Sequence, residues 1–333
     1  MANIIILGSG GWGSAIAIMT ATHGHNVTLW SKFKNEVDNL LETRENPLLK
    51  GITIPESVKI TNDIACVNNA DVIVLAVPSV AVRSVCRDLK GIYNGQVLVN
   101  IGKGLEESSL KRLSEVINEE LEAPVKLAIM SGPSHAEEVA RGIPTANVVA
   151  SKSKKTARYV QNIFMNETFR LYTSKDIVGV EIGGALKNVI ALASGIVSGL
   201  ELGDNTRAAL MTRGLFEISE LGDKLGGKRE TFSGLTGIGD LIVTCTSFHS
   251  RNFRCGVLIG KGASPLDAVK EIGMTVEGYK TAAAAYRLAE KEGVEMPIIC
   301  EIYRVLYEGK SPKEAVADLM LREKKSERED LWK

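Results

Sequence analysis

The 333-residue chain carries 40 basic and 40 acidic residues, and 44% of it is hydrophobic, ordinary proportions for a globular chain of about two domains. A net charge of zero excludes a broad electrostatic grip on nucleic acid or an anionic membrane, though not a local basic pocket. Five scattered cysteines without a CxxC pair point to a reduced, cytoplasmic setting, and four histidines without a dense cluster argue against a metal centre.

In chain order, MANIIILGSG opens on a strand-like run with no basic leader, which predicts no signal peptide. NIIIL (3–7), NVTLW (26–30), VIVLAV (72–77), VLVNI (97–101), KLAIM (126–130), ANVVA (146–150) and FRLYT (169–173) read as strands. Their near-continuous hydrophobicity predicts strands covered on both faces, as in a parallel sheet flanked by helices. Segments between them, such as SSLKRLSEVINEEL (108–121), carry helical periodicity. This alternation predicts a doubly wound, Rossmann-like α/β domain.

After Asp176, which is placed to cap a long helix, the rhythm turns helical. Residues 206–227, 264–273, 277–293 and 311–322 each have start and stop signals. Ser264-Pro265 and Ser311-Pro312 put serine at an N-cap and proline at the first helical position, where its missing N–H is harmless. The expected division is an α/β domain over 1–178 and an all-α domain over 179–333, the first helix of the second being shared between them. No apolar run is expected to span a bilayer, because glycines and Lys187 interrupt the best stretch. The tail REKKSEREDLWK reads as a frayed, solvated charge run.

ILGSGGWGSA (6–15) places Gly8, Gly10 and Gly13 in a G-x-G-x-x-G pattern directly after the first strand and before an apolar helix. That context makes the pattern a dinucleotide site. Gly8 permits the tight turn, Gly10 lets a pyrophosphate approach the backbone, and Gly13 lets helix and strand pack closely. The helix N-terminus favours the anionic pyrophosphate. An NAD-preferring site commonly has a carboxylate near the end of the second strand. Here LWSKFKNE (29–36) puts Ser31 and Lys32 in its place. Lys32 suits the 2′-phosphate of NADP(H), which tips the expectation toward that cofactor; a solvated lysine is the plainer alternative.

Five further positions could carry chemistry, each with a plainer alternative. Lys187 is the one formal charge between Glu181 and Glu201; it either sits buried, where an ammonium is costly unless paired or deprotonated, or snorkels outward. Lys103 in NIGKGLE follows a strand end, where ligands bind in open α/β sheets or where a lysine is merely solvated. SGPSHAEEVARG (131–142) offers backbone amides and Ser134 near a helix start. Asp240 in GIGDLIVTCTS is either an apolar-site carboxylate or a helix cap. SRN (250–252) joins Arg251 to a helix N-terminus, which fits a phosphate, whereas Ser250 as N-cap and Arg251 in a surface pair need no ligand. Trp12 and Met130 read as packing, and His135 and His249 as loop residues.

Read together, GSGGWG, AVPS (76–79), KGLE, SGPSHAEE, GGALKNVIA, TRGL (212–215), GIGDLIVTCTS, SRN, VEGY (276–279) and GVEMPI (293–298) closely resemble bacterial NAD(P)-dependent glycerol-3-phosphate dehydrogenase across nearly the whole chain. The resemblance implies reduction of dihydroxyacetone phosphate to sn-glycerol 3-phosphate for glycerophospholipid synthesis, with NADP(H) or NAD(H) as cofactor. It implies that Gly11 and Trp12 line the cofactor, with Lys32 near its adenosine end, and that Lys103 touches cofactor and substrate. It implies that Gly132, Ser134 and Ala136 shape the substrate pocket, and that Lys187 is the proton acceptor. Asp240, Ser250, Arg251 and Asn252 are implied to close around the substrate, and Arg251, Thr275 and Glu277 to reach the cofactor. Trp12 stands where the family has an aromatic but not always tryptophan, and the Lys32 position is variable.

The resemblance gives Lys187 a physical role. Removing the hydroxyl proton as hydride leaves needs a base whose pKa lies near the operating pH. Desolvation and a second cation, Lys103, would lower a lysine toward that range, whereas a nearby ionised Asp240 would oppose them. Two other readings compete. A β-hydroxy-acid dehydrogenase shares the two-domain layout and a catalytic lysine, but GIGDLIVTCTS and SRN favour a phosphorylated triose. A nucleotide sensor would have no need of Lys103, Lys187 and Asp240 together. The apolar helical half is expected to support a homodimer.

Overall fold

The computed structural model describes residues 1–122 and 124–327. One sheet holds β1 (Asn3–Leu7), β2 (Asn26–Trp30), β3 (Lys59–Thr61), β4 (Val72–Leu75), β5 (Val97–Asn100), β6 (Lys126–Ser131), β7 (Thr145–Ala150) and β8 (Phe169–Ser174). Their order is β3-β2-β1-β4-β5-β6-β7-β8. Neighbours run parallel except β6 and β7, which pair antiparallel from Ile129↔Ala150 to Ser131↔Val148. The chain leaves β1 toward β2 and β3, then returns to place β4 on the other side. That reversal opens a crevice at the carboxyl ends of β1 and β4, the place where open α/β sheets bind ligands.

Both faces of the sheet are covered, which is why the strands read as continuous apolar runs. Ile4, Ile6, Val72, Val74 and Val99 pack on one face with Ala15, Ile16 and Met19 of the helix Gly11–Thr22. Ile5, Leu7, Ile73, Leu75 and Leu98 pack on the other with Val85 and Leu89 of the helix Val82–Leu89, and with Val116 and Ile117 of the helix Leu113–Leu121.

Three local expectations are corrected. β3 escaped the sequence reading because its three residues form no apolar run: Lys59 is exposed and Ile60 and Thr61 are half-buried on the sheet edge. β4 stops at Leu75, and the backbone of Ala76 turns across Gly8, where an added Cβ would lie 2.6 Å from Ala76 O. The helix expected from 108 starts only at Leu113, because Leu110 takes a left-handed φ of 60° and Leu105 bridges to Arg112 in the turn before it.

The remainder is helical, built around Ile177–Gly199. Asp176 caps this helix: Oδ1 accepts Gly179 N at 2.9 Å, and Oδ2 accepts Lys228 N at 2.9 Å and Thr231 Oγ1 at 2.6 Å. Glu181, buried one turn later, accepts Ser114 N at 2.7 Å, Ser114 Oγ at 2.5 Å and Arg112 Nη1 at 2.7 Å, tying the helix to the sheet half. Burial pushes the Glu181 carboxyl up, against the opposing pull of Arg112 and Ser114. The helix Arg251–Gly260 crosses at backbone distance. A Cβ on Gly195 would stand 2.0 Å from Phe253 O, and one on Gly256 would stand 2.0 Å from Leu192 O.

Contrary to the sequence expectation, this 23-residue helix is long and apolar enough to cross a bilayer, with a mean hydropathy of 1.5 over its best 18-residue window. What assigns it to a core is that 94% of that window is buried by the protein itself. Over its described part, residues 322–327, the charged tail is exposed and without helix or strand, as expected of a solvated run, though it makes surface pairs. Arg322 and Lys325 pair with Glu295, and Arg213 Nη1 donates to Glu327 O at 3.3 Å. Residues 328–333 of that run lie outside the described residues.

Candidate active site

The glycine loop follows β1 as expected. Gly8 takes a φ of 123°, and Gly10 is the N-cap of Gly11–Thr22 without any side-chain cap, so the first amides of that helix stay available. A Cβ on Gly13 would lie 2.0 Å from Gly8 O, whereas nothing stands within 4 Å of one on Gly10. Close helix packing beneath and open space above fit a pyrophosphate. Trp12, half-buried, packs on the apolar core beside the loop.

At the end of β2 the structure finds a carboxylate that the sequence reading did not weigh. Glu36 reaches back from the helix Lys34–Thr43, and its Oε2 accepts Ser9 Oγ at 2.7 Å and Ser31 Oγ at 2.5 Å. Lys32, by contrast, extends to Asp88 Oδ2 at 3.0 Å, on the helix Val82–Leu89.

Lys187 is buried, not snorkelling. It is 6% exposed, and its Nζ lies 2.8 Å from Asp240 Oδ1 and donates to Thr244 Oγ1 at 2.7 Å. Lys103, from the loop after β5, donates to Asp240 Oδ2 at 2.5 Å and to Gly132 O at 2.9 Å. One carboxylate thus joins an ammonium from the sheet half to one from the central helix. Asp240 begins the helix Asp240–Thr246, directly after a π-helical turn, Leu235–Gly239. Burial lowers the Lys187 ammonium to about 8; Asp240 opposes that shift and Lys103 assists it. For Asp240, burial raises the carboxyl, but the charges and hydrogen bonds of Lys103 and Lys187 outweigh it and hold it below the ordinary range. Thr244, which also donates to Asp240 O at 2.6 Å, was missed in sequence. Its signal was the i, i+4 spacing from Asp240, which puts both on one helix face.

The turn after β6 forms one wall. Ser134 Oγ donates to Gly132 O at 2.9 Å, the same carbonyl that holds Lys103. Ala136 starts the helix Ala136–Ala140, and a Cβ on Gly11 would lie 3.9 Å from Ala136 Cβ, so this turn faces the glycine loop. His135 lies between them, with its ring centroid 5.4 Å from that of His249. Burial, then the charge of Lys187, lowers the His135 imidazole.

Beside this turn, directly after His249, Ser250 Oγ caps the helix Arg251–Gly260 by accepting Phe253 N at 3.2 Å. Arg251 has no salt bridge among the described residues; burial lowers its guanidinium, with Glu277 pulling the other way. Asn252 is committed to structure, donating to Asn188 Oδ1 at 3.0 Å and accepting Gly278 N at 2.8 Å. Glu277 begins the helix Glu277–Glu292 and accepts Ser79 Oγ at 2.8 Å and Ser79 N at 3.2 Å, a contact back to the AVPS turn. Thr275 is half-buried two residues before it. The structure therefore gathers Lys103, Lys187, Asp240 and the Gly132–Ala136 turn about one crevice, and turns the side chains of Lys32 and Asn252 to other partners.

Comparison with known proteins agrees with this geometry. The N-terminal and C-terminal models of NAD-dependent glycerol-3-phosphate dehydrogenase match residues 3–157 and 176–317. Glycerol-3-phosphate dehydrogenase [NAD(P)+] of Fusobacterium nucleatum is 54% identical over 331 residues, 98% of this chain and 99% of that one. The enzyme of the same name from Thermoanaerobacter is 54% identical over 97% and 98% of the two chains. The crystal structure of glycerol-3-phosphate dehydrogenase from Coxiella burnetii superposes with a TM-score of 0.93 at 38% identity, covering 96% of this chain and 99% of that one. With both halves matched in order and the lysine–aspartate–lysine centre formed between them, the chain belongs to the NAD-dependent glycerol-3-phosphate dehydrogenase family.

Proposed function

We propose that this protein is an NAD(P)-dependent sn-glycerol-3-phosphate dehydrogenase, interconverting dihydroxyacetone phosphate and sn-glycerol 3-phosphate. The observation that carries the reading is Lys187 Nζ held 2.8 Å from Asp240 Oδ1 in a buried site facing the Gly132–Ala136 turn. Gly8, Gly10, Gly11 and Gly13 would hold the nicotinamide cofactor, which when bound would supply the hydride in reduction and accept it in oxidation. Lys187 gives its proton to the carbonyl oxygen in reduction and takes it from the alcohol in oxidation. Its lowered pKa of about 8 suits both directions near neutrality. Asp240 keeps Lys187 and Lys103 at fixed separation, and Lys103 steadies the oxygen as charge develops. Arg251 and the free amides at its helix start take the substrate phosphate; Ser134 and Gly132 close the other side.

In this reading residues 1–178 hold the cofactor and 179–333 the substrate. The protein works in the cytoplasm, which its five free cysteines favour, and as a homodimer. Sedimentation at micromolar concentration tests the dimer. The reaction is tested by following nicotinamide absorbance with dihydroxyacetone phosphate and either NADH or NADPH. Rapid oxidation is expected. Folded protein that binds nucleotide yet oxidises neither cofactor would overturn the substrate assignment, leaving β-hydroxy acids as the next substrates to assay.

A further inference from the structure

We infer that Glu36 sets the choice of cofactor and makes this enzyme prefer NADH to NADPH, an inference that rests on the glycine loop being the cofactor site.

Three observations carry it. First is position. Ser9 lies between Gly8 and Gly10 of the loop, and Ser31 directly follows β2; both hydroxyls donate to Glu36 Oε2, at 2.7 and 2.5 Å. The carboxylate is therefore pinned between the glycine loop and the end of β2, the corner where a Rossmann site meets the adenosine ribose. It arrives from the first turn of Lys34–Thr43, not from the strand end, so it stands outside the sequence position where such an acid is sought.

Second is remaining capacity. Glu36 is exposed, and its Oε1 accepts no hydrogen bond among the described residues. A carboxylate only accepts, so it matches the two ribose hydroxyls and repels a 2′-phosphate. Ser9 and Ser31 direct their hydroxyl hydrogens at Glu36 and not into the space a 2′-phosphate would take. Third, the nearby cations are engaged elsewhere. Lys32 bonds Asp88 at 3.0 Å and Lys34 bonds Asp38 at 2.8 Å. The two serines hold the acid in place while the lysine that could balance a 2′-phosphate points away.

The test measures dissociation constants of NADH and NADPH by nicotinamide fluorescence, without substrate, alongside kcat/KM for both with dihydroxyacetone phosphate. The intact enzyme is expected to favour NADH by about tenfold or more, the scale of one like-charge repulsion near a protein surface. Glu36→Gln keeps an oxygen for Ser9 and Ser31 but loses the charge, and should shrink the ratio by about tenfold, chiefly through tighter NADPH binding. Glu42→Gln, an exposed change on the same helix, should leave the ratio where it was. Equal or tighter NADPH binding by the intact enzyme would overturn the proposal. So would a ratio unmoved by Glu36→Gln, or moved as far by Glu42→Gln. If both nucleotides bind but no substrate turns over, the reaction assignment fails while the binding ratio still decides this one.

Discussion

Lys187 and Asp240 meet at 2.8 Å in a site where each is less than a tenth exposed, although one comes from the middle of the central helix and the other from the start of a short helix beyond residue 235. A buried ion pair of this kind is weak evidence for stability, because desolvation offsets much of its attraction. It is better explained by chemistry: the aspartate fixes where the ammonium stands, and burial lowers the pKa at which it releases a proton.

Replacing Lys187 by alanine removes the group that moves the proton and leaves the glycine loop untouched. Turnover should fall by roughly 10²–10⁴-fold, with cofactor affinity within about a factor of two of the parent. Steady-state rates and nucleotide fluorescence on the same preparation check this; near-normal turnover in folded Lys187→Ala would remove the lysine from the mechanism.

The pH dependence follows from the same residue, with opposite signs in the two directions. Oxidation needs the neutral amine, so its kcat should rise as pH passes through about 8; reduction needs the ammonium and should fall there. Asp240 opposes the lowering, so in Asp240→Asn both limbs should move below about 8. Rate profiles in both directions, at saturating cofactor, decide it. A limb moving upward in Asp240→Asn would contradict the assigned sign.

Arg251 is half-buried without an ion pair among the described residues, which marks it for an anionic ligand. Losing one charge-assisted contact typically costs about 1.5–3 kcal/mol, or about 10–150-fold. Arg251→Ala should show that loss in KM for dihydroxyacetone phosphate, measured at saturating cofactor, with a smaller change in kcat. An unchanged KM would require the phosphate to bind elsewhere.

Glu217 offers a stability test away from the crevice. Its carboxylate, 4% exposed, accepts Ile298 N at 2.8 Å and Ile299 N at 3.2 Å, capping the helix Pro297–Tyr307 from a neighbouring helix. Burial raises this carboxyl to about 8, partly countered by those amides. A carboxyl raised in the folded state contributes stability that is full below its unfolded pKa and is lost as pH rises through about 8. Glu217→Gln keeps an acceptor and removes the titration. Between pH 5 and 8 the parent should therefore lose about 1–4 kcal/mol relative to the variant, read from urea melts at the two pH values. Parallel behaviour of the two proteins would show that Glu217 does not titrate there.

Much of this protein was legible along the chain because the forces involved act between near neighbours. The strands announced themselves by their apolar runs, Asp176, Ser264 and Ser311 by capping chemistry, and the glycine loop by a spacing that only a tight strand-to-helix turn requires. Seven of the eight strands were found this way; β3 was not, since three residues on a sheet edge create no pattern. The ordered motifs also identified the family before any coordinate. Contacts between distant segments could be decided only in three dimensions. Lys103 and Asp240, 137 residues apart, share a hydrogen bond because the helical half folds back over the carboxyl end of the sheet. The same closure sets the Lys187 pKa, which depends on burial from all sides and on two charges from other segments. At the end of β2, a helix turning back brought Glu36 to Ser9 and Ser31 and left Lys32 with Asp88. Periodicity and capping are local and survive in the linear text, whereas desolvation and charge pairing depend on which surfaces meet, and only the folded chain determines that.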